Sequence, residues 1–167
     1  MVKAHPLQIE SLVGHHQLAP LLGAWHVAEW GHLYRPEVWN AHIATAEFEA
    51  MAEPASTDRT WVAFDGDARQ EANVLGSVSL LGTDDLAGYE HLTPWLASLF
   101  VAPAARGRGV TAALVGRVLA AARDEGYDTV YLFTAGQQAF WSAQGWTALA
   151  EVETAGHPAT VMSLSTH

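Results

Sequence analysis

The run Arg106-Gly107-Arg108-Gly109 carries the most pointed chemistry in the chain. Glycine reaches backbone angles closed to other residues and has no Cβ, so a ligand can come close to the main chain. An apolar-faced helix is predicted to start near Gly109, and the first N–H groups of a helix have no partner inside it. The helix dipole adds partial positive charge there, and two guanidiniums stand beside it. These parts together hold an anion, a phosphate or pyrophosphate above all. The plainer reading is a solvated Gly-rich loop; the apolar strand before the run and the helix after it favour the anion site.

Charge distribution points the same way. The protein has 8 Lys and Arg against 18 Asp and Glu. Between Val101 and Arg123 stand four arginines (Arg106, Arg108, Arg117, Arg123) and no acid, so along the sequence this is a positive island. A phosphorylated ligand is drawn to such a patch by its field.

The elements that must position this loop follow from periodicity. Leu7 to Val13 reads as a first strand, and the apolar residues from Leu18 to Trp30 as a helix stopped near Gly31. Arg35-Pro36-Glu37 looks like the start of a second helix that ends at Glu53-Pro54. Thr60 to Phe64 and Asn73 to Leu81 form an antiparallel pair around Asp65-Gly66-Asp67. The irregular segment Gly82 to Pro94 is long enough to be functional. Trp95 to Val101 is then a buried strand leading into the Arg-Gly loop. Val110, Leu114, Val118 and Ala122 give the next helix its buried face. Asp128 to Thr134 is a strand parallel to the one before that helix. Gln138 to Gln144 is a short helix. Trp146 to Val152 and Ala159 to Leu164 are the last strands, around a turn holding Gly156, His157 and Pro158.

The segment Leu96-Ala-Ser-Leu-Phe-Val-Ala-Pro-Ala-Ala-Arg-Gly-Arg-Gly-Val110 resembles the acetyl-CoA-binding motif of the GNAT N-acetyltransferases. In that family an Arg/Gln-x-x-Gly-x-Gly/Ala loop cradles the CoA pyrophosphate. Arg106 matches its first position and Gly109 its fourth, while Thr111 stands where the family has Gly or Ala. Ala139-Phe-Trp-Ser-Ala-Gln-Gly-Trp146 is similar to the family's Ala-x-Tyr-x-x-x-Gly-Phe/Trp segment. The order β-α-α-β-β-β-α-β-α-β-β is that of the GNAT fold. The resemblance thus implies an α/β (α+β) architecture with a mixed sheet of six to seven strands and about four helices.

The resemblance also implies a division of labour. Leu99, Phe100 and Val101 would hold the pantetheine arm and polarise the thioester carbonyl through their main chain. Arg106, Gly107, Arg108, Gly109, Val110 and Thr111 would hold the pyrophosphate, with Thr134 and Trp141 also beside acetyl-CoA. The acceptor amine must lose a proton, and Asp84, Asp85, Glu90 and His91 in the segment before the acetyl-CoA strand are the candidates for receiving it. His91 has a suitable ordinary pKa, and burial could tune Glu90 upward. His26, Glu29, Trp30, His32, Asp85 and Trp95 are candidates for contacting the acceptor, an aromatic and acidic set that suits an ammonium group. The position where many relatives carry a Tyr that protonates the leaving thiolate is Trp141, whose indole N–H is no useful acid. Solvent, Ser142 or Tyr131 would then have to serve.

Composition narrows the classes. A chain of 167 residues, 50% hydrophobic, suits one domain over 1–167. It has no cysteine, which excludes disulfides and a cysteine nucleophile. The histidines are spaced too unevenly for a ligand set, so no metal site is expected. The N-terminus lacks a signal-peptide pattern and no apolar run is of membrane-spanning length, which reads as a soluble cytoplasmic protein. A net charge of -10 argues against nucleic acid and for a cationic small-molecule partner. Last strands in the GNAT fold often mediate dimers, so a homodimer is among the expectations. The expected activity is acetyl transfer from acetyl-CoA to a primary amine. The alternative is a non-catalytic acyl-CoA-binding module that kept the fold. A nucleotide-phosphate binder lacks the Gly-Lys-Ser/Thr it would need.

Overall fold

In the computed structural model, which describes residues 6–167, seven strands form one sheet in the order β1-β2-β3-β4-β5-β7-β6. The strands are β1 (Gln8–Ser11), β2 (Arg59–Phe64), β3 (Val74–Leu81), β4 (Trp95–Val101), β5 (Thr129–Thr134), β6 (Thr147–Thr154) and β7 (His157–Ser165). The helices are α1 (Ala19–Trp30), α2 (Ala41–Met51), α3 (Val110–Asp124) and α4 (Gln138–Ala143). Neighbouring strands are antiparallel except β4 and β5, which the crossover helix α3 connects in parallel. The predicted element order therefore holds throughout.

Apolar spacing explains the two layers that cover the sheet. On one face α3 buries Val110, Leu114, Val118 and Ala122 against Trp61, Val78, Leu80, Leu96 and Val130, joined by Trp141 of α4 and Trp146. On the other face α1 and α2 bury Leu22 and Phe48 with Leu12, Leu18, Val62 and Val74. Helices α1 and α2 cross closely at Gly23, where a Cβ would stand 2.6 Å from Thr45 Oγ1 and 2.8 Å from its backbone N. The buried line of the α1 segment, Leu18, Leu22 and His26, includes one polar residue.

Two local expectations are corrected. The second helix does not begin at Pro36: residues 36–38 form a turn, with Val38 and Trp39 donating to Arg35 O at 2.9 and 3.0 Å. Asn40 caps α2 instead, its Oδ1 accepting from Ile43 N at 3.1 Å. A side-chain acceptor at that point satisfies an orphan N–H of the first turn, which neither Tyr34 nor Arg35 can do. At the far end the β6–β7 turn is tighter than expected. His157 and Pro158 already pair with Thr154 and Glu153.

The feature that shapes the site lies in β4. Ser79 pairs with Ala97 and Ser77 with Phe100, so β4 carries one residue more than β3 across that interval. Ser98 takes φ +54°, the left-handed region, and the alternation of side chains flips. Before the bulge Leu96 faces α3; after it Leu99 and Val101 do, while Phe100 turns toward α1. Trp95 and Tyr131 form the one ladder pair between β4 and β5 among the described residues, with Tyr131 N donating to Pro94 O at 3.0 Å. From there to Val101 and Thr134 the parallel strands part, which leaves a fissure in the middle of the sheet.

Candidate active site

At the open end of the fissure, β4 runs through a single turn at Pro103–Ala105 into the Arg-Gly loop and α3. Gly107 and Gly109 both have φ +77°, and a Cβ built on either would meet nothing within 4 Å. Their conformation demands glycine, and the space above them is free for a ligand. Gly109 is the N-cap of α3 and offers no side chain to its first N–H groups. Those donors face the solvent side of a groove of about 240 Å³, lined by Val101, Arg106, Gly107, Gly109, Val110 and Thr111 on one side and by Phe140 and Gln144 on the other. This is the geometry of an anion site at a helix N-terminus.

The positive island is smaller in space than in sequence. Arg117 lies with its guanidinium carbon 5.5 Å from the centre of the Trp61 ring, sharing that ring with Arg59. Arg123, at the far end of α3, donates to Thr166 O at 3.4 Å. Arg108 donates to Asp65 Oδ2 at 3.0 Å, so an acid from the β2–β3 turn offsets its charge. Arg106 donates to Val101 O at 3.3 Å and stays over the end of β4. Of the four arginines, Arg106 and Arg108 are the two at the cradle.

Midway along the fissure, the bulge is held from the α1 side. His26 is 2% exposed. Its Nε2 lies 2.9 Å from Ser98 O and its Nδ1 2.6 Å from Leu22 O. The rings of Trp30, Phe48 and Phe100 surround it at 5.2, 4.8 and 5.8 Å between centroids. Burial pushes the imidazole below its ordinary pKa, against the pull of the two carbonyls and of Glu29. The expectation that His26 faces an acceptor is thereby corrected: it belongs to the core at the bulge.

A third group of residues comes from the loops before α2 and before β4. Asp84 is half-buried, and its carboxyl is pushed up to about 7, first by burial and then by the charges of Asp85 and Asp58. Asp85, exposed, has φ +53°. The field of Asp84 and Glu47 reaches the Tyr34 hydroxyl, which burial raises first of all. Glu47 is itself raised, first by partial desolvation and then by Asp85, against the lowering pull of Trp39. Tyr34 and Trp39 meet edge to face at 5.5 Å. Aromatic rings and carboxylates therefore converge here, and sequence reasoning had identified only the two aspartates. The proximity of Tyr34, Trp39 and Glu47 depends on how α2 packs, which no local spacing reveals.

The remaining predicted residues are scattered. Glu90 is exposed and accepts from its own N–H and from Gly88 N at 3.2 Å, which holds its carboxyl below the ordinary value; it is not tuned upward. His91 is exposed and stacked on Tyr89 at 6.3 Å. Glu29 and His32 are exposed at the end of α1, and Trp30 is half-buried against Phe100. Trp95 is 1% exposed among Leu86 and Val161 and donates to Leu92 O at 2.7 Å, a core position. Leu99 and Phe100 line the bulge, and Thr134 closes β5 beside the fissure's mouth. Trp141 packs edge to face on Trp146 at 5.5 Å and lines a second groove, of about 200 Å³, between α3 and α4.

Known proteins share this fold. An aminoglycoside 6'-N-acetyltransferase complexed with coenzyme A superposes with a TM-score of 0.72 at 16% identity, over 96% of this chain and 97% of that one. A GCN5-related N-acetyltransferase from Kribbella flavida gives 0.70 at 24% identity, over 95% and 97%. The yncA structure from Salmonella typhimurium with its cofactor acetyl-CoA gives 0.68 at 18% identity, over 97% and 95%. Among curated proteins none matches the chain in sequence. At these identities the structures speak for the fold alone. The sequence model of the Acetyltransferase (GNAT) family, however, matches residues 12–146, from the end of β1 to the start of β6, and so spans the cradle, the bulge and α4. That match, over most of the chain, makes it a member of the Acetyltransferase (GNAT) family.

Proposed function

We propose that the protein transfers the acetyl group of acetyl-CoA directly to a primary amine of a small cationic acceptor. The observation that carries this is the bulged β4 parting from β5 above the cradle at Gly107 and Gly109. The residues fit the cofactor. Its pyrophosphate suits the α3 N–H groups with Arg106 and Arg108, and the free space over both glycines leaves room for it. The pantetheine arm suits the fissure beside Leu99, Phe100, Val101 and Thr134. Bound there, acetyl-CoA would supply an activated acyl group.

The chain's own groups would do the rest. Main-chain N–H groups at the bulge are fixed before reaction, so orienting a carbonyl there costs little reorganisation. Asp84, with a carboxyl that titrates near neutrality, receives the ammonium's proton. Tyr34, Trp39, Glu47 and Asp85 hold the cationic remainder of the acceptor through ion pairing and cation–π contact. Two proteins of similar structure, one an aminoglycoside 6'-N-acetyltransferase and one a GCN5-related N-acetyltransferase, support an amine acceptor.

One observation favours a second reading. Trp141 is locked against Trp146 and supplies no acid for the leaving thiolate, as a non-catalytic acyl-CoA-binding module would tolerate. Release of free CoA thiol across a panel of polyamines, aminoglycosides and amino-acid amides separates the two. Turnover with any of them supports the enzyme; tight CoA binding with no thiol release across the panel sinks it.

A further inference from the structure

We propose that His26 is a positioning residue that pins the bulge of β4 by donating its Nε2–H to Ser98 O, and so aims the Leu99 N–H into the fissure. Ser98 and Leu99 are the residues left without a partner on β3, between the pairs Ser79–Ala97 and Ser77–Phe100. A serine with φ +54° is unfavourable in itself, and surrounding structure has to hold it. Part of that structure is the His26 imidazole, 2.9 Å from Ser98 O and 72 residues away in sequence. The peptide joining Ser98 to Leu99 is planar, with its C=O and N–H on opposite sides. Fixing the carbonyl on the α1 side therefore fixes the N–H on the other.

The tautomer follows from the partners. Both ring nitrogens face carbonyl oxygens, Leu22 O at 2.6 Å and Ser98 O at 2.9 Å. A neutral ring has one N–H, and burial keeps the ring neutral. Leu22 O lies one helical turn before His26, where the backbone ladder of α1 supplies it with a donor, whereas Ser98 O belongs to the unpaired residue of a strand. We accordingly place the proton on Nε2; the alternative, a proton on Nδ1 donating to Leu22 O at 2.6 Å, is told apart by the imidazole 15N shifts. Ser77, opposite Phe100, buries an Oγ that has no hydrogen-bond partner, so no neighbouring hydroxyl on β3 takes over the task.

This role rests on the acetyltransferase reading, in which the bulge orients the acyl carbonyl, and the test separates the two. The experiment compares the wild type with His26→Gln, which retains an amide N–H at about the same reach, and with His26→Phe, which fills the same aromatic box without a donor. Amide hydrogen exchange over residues 96–101 reads the pinning without any turnover. Faster exchange in His26→Phe but not in His26→Gln is expected. In thiol-release assays His26→Phe should lose about tenfold to a hundredfold in kcat, since small misplacements at a reacting centre cost that much, with the KM for acetyl-CoA within about twofold. His26→Gln should recover most of the rate. Unchanged exchange in His26→Phe, or equal losses in both variants, overturns the role. If His26→Phe does not fold, the 15N shifts of the wild-type imidazole decide: a protonated Nε2 sustains it and a proton on Nδ1 alone refutes it. A wild type that pins the bulge yet acetylates nothing would count against the enzyme reading and leave the pinning intact.

Discussion

Partial withdrawal from water and neighbouring negative charge both raise a carboxyl toward neutrality, and Asp84 has both. Glu90, six residues further on, is exposed, and backbone N–H groups hold its carboxyl below the ordinary value. Asp84→Asn is expected to lower kcat/KM for the amine by about 10²–10⁴-fold and to abolish an ascending limb centred near pH 7, read from a pH–rate profile. The same substitution works in the opposite direction on stability. A carboxyl whose folded pKa lies above its unfolded value of 3.8 costs nothing below that value, and its full cost is present once the pH has passed about 7. Thermal or urea melts should therefore show Asp84→Asn more stable than the wild type by about 1–3 kcal/mol at pH 8 and equal to it at pH 3. Residues with local signatures were legible in the sequence: Gly107 and Gly109 from their conformation, Arg106 from its place in the motif, Asp84 from its loop. His26 and Asp65 were not, because their partners lie 72 and 43 residues away.

Strand β4 is where element and chemistry coincide. Its neighbour β3 passes it at Gly76, where a Cβ would stand 2.5 Å from Phe100 O and 3.2 Å from the Val101 Cα. Both are backbone atoms, which cannot swing aside. Gly76→Ala should cost about 1–3 kcal/mol in denaturant melts, as overpacking does. It should also reduce turnover beyond that loss of stability, because the displaced atoms belong to the residues that flank the fissure. The order of elements was legible because α3 repeats an apolar residue every four positions and the β2 and β3 runs are rich in β-formers around an Asp-Gly turn. The bulge was not. Trp95-Leu-Ala-Ser-Leu-Phe-Val101 contains no glycine to mark a left-handed residue, and Ser98 reads as an ordinary strand position. The start of α2 was misplaced for a related reason: Pro36 looks like a first-turn residue until Asn40 is seen accepting from Ile43 N.

The whole molecule presents a field of net charge -10 to whatever approaches it. On the proposed function, that field would draw in the cationic acceptor and repel acetyl-CoA until it reaches the cradle. Raising ionic strength from about 0.01 to 0.15 M shortens the screening length from about 30 to about 8 Å. Steady-state kinetics across that range should show kcat/KM falling for the acceptor and holding or rising for acetyl-CoA. Parallel declines would mean that the cradle's local charge outweighs the global one. Among the described residues no helix is long and apolar enough to cross a membrane.

The bridge from Arg108 to Asp65 bears on how long a product stays. An arginine already engaged by a carboxylate gives an incoming phosphate only part of its attraction, and when the phosphate leaves, the carboxylate is waiting to take its place. With Arg108 holding the pyrophosphate as proposed, grip would be traded for release. Asp65→Asn should lengthen the residence time of CoA by several-fold, on the scale of one half-exposed ion pair, as stopped-flow displacement would measure. If departure of CoA limits the cycle, the variant that binds its cofactor more tightly will be the slower enzyme.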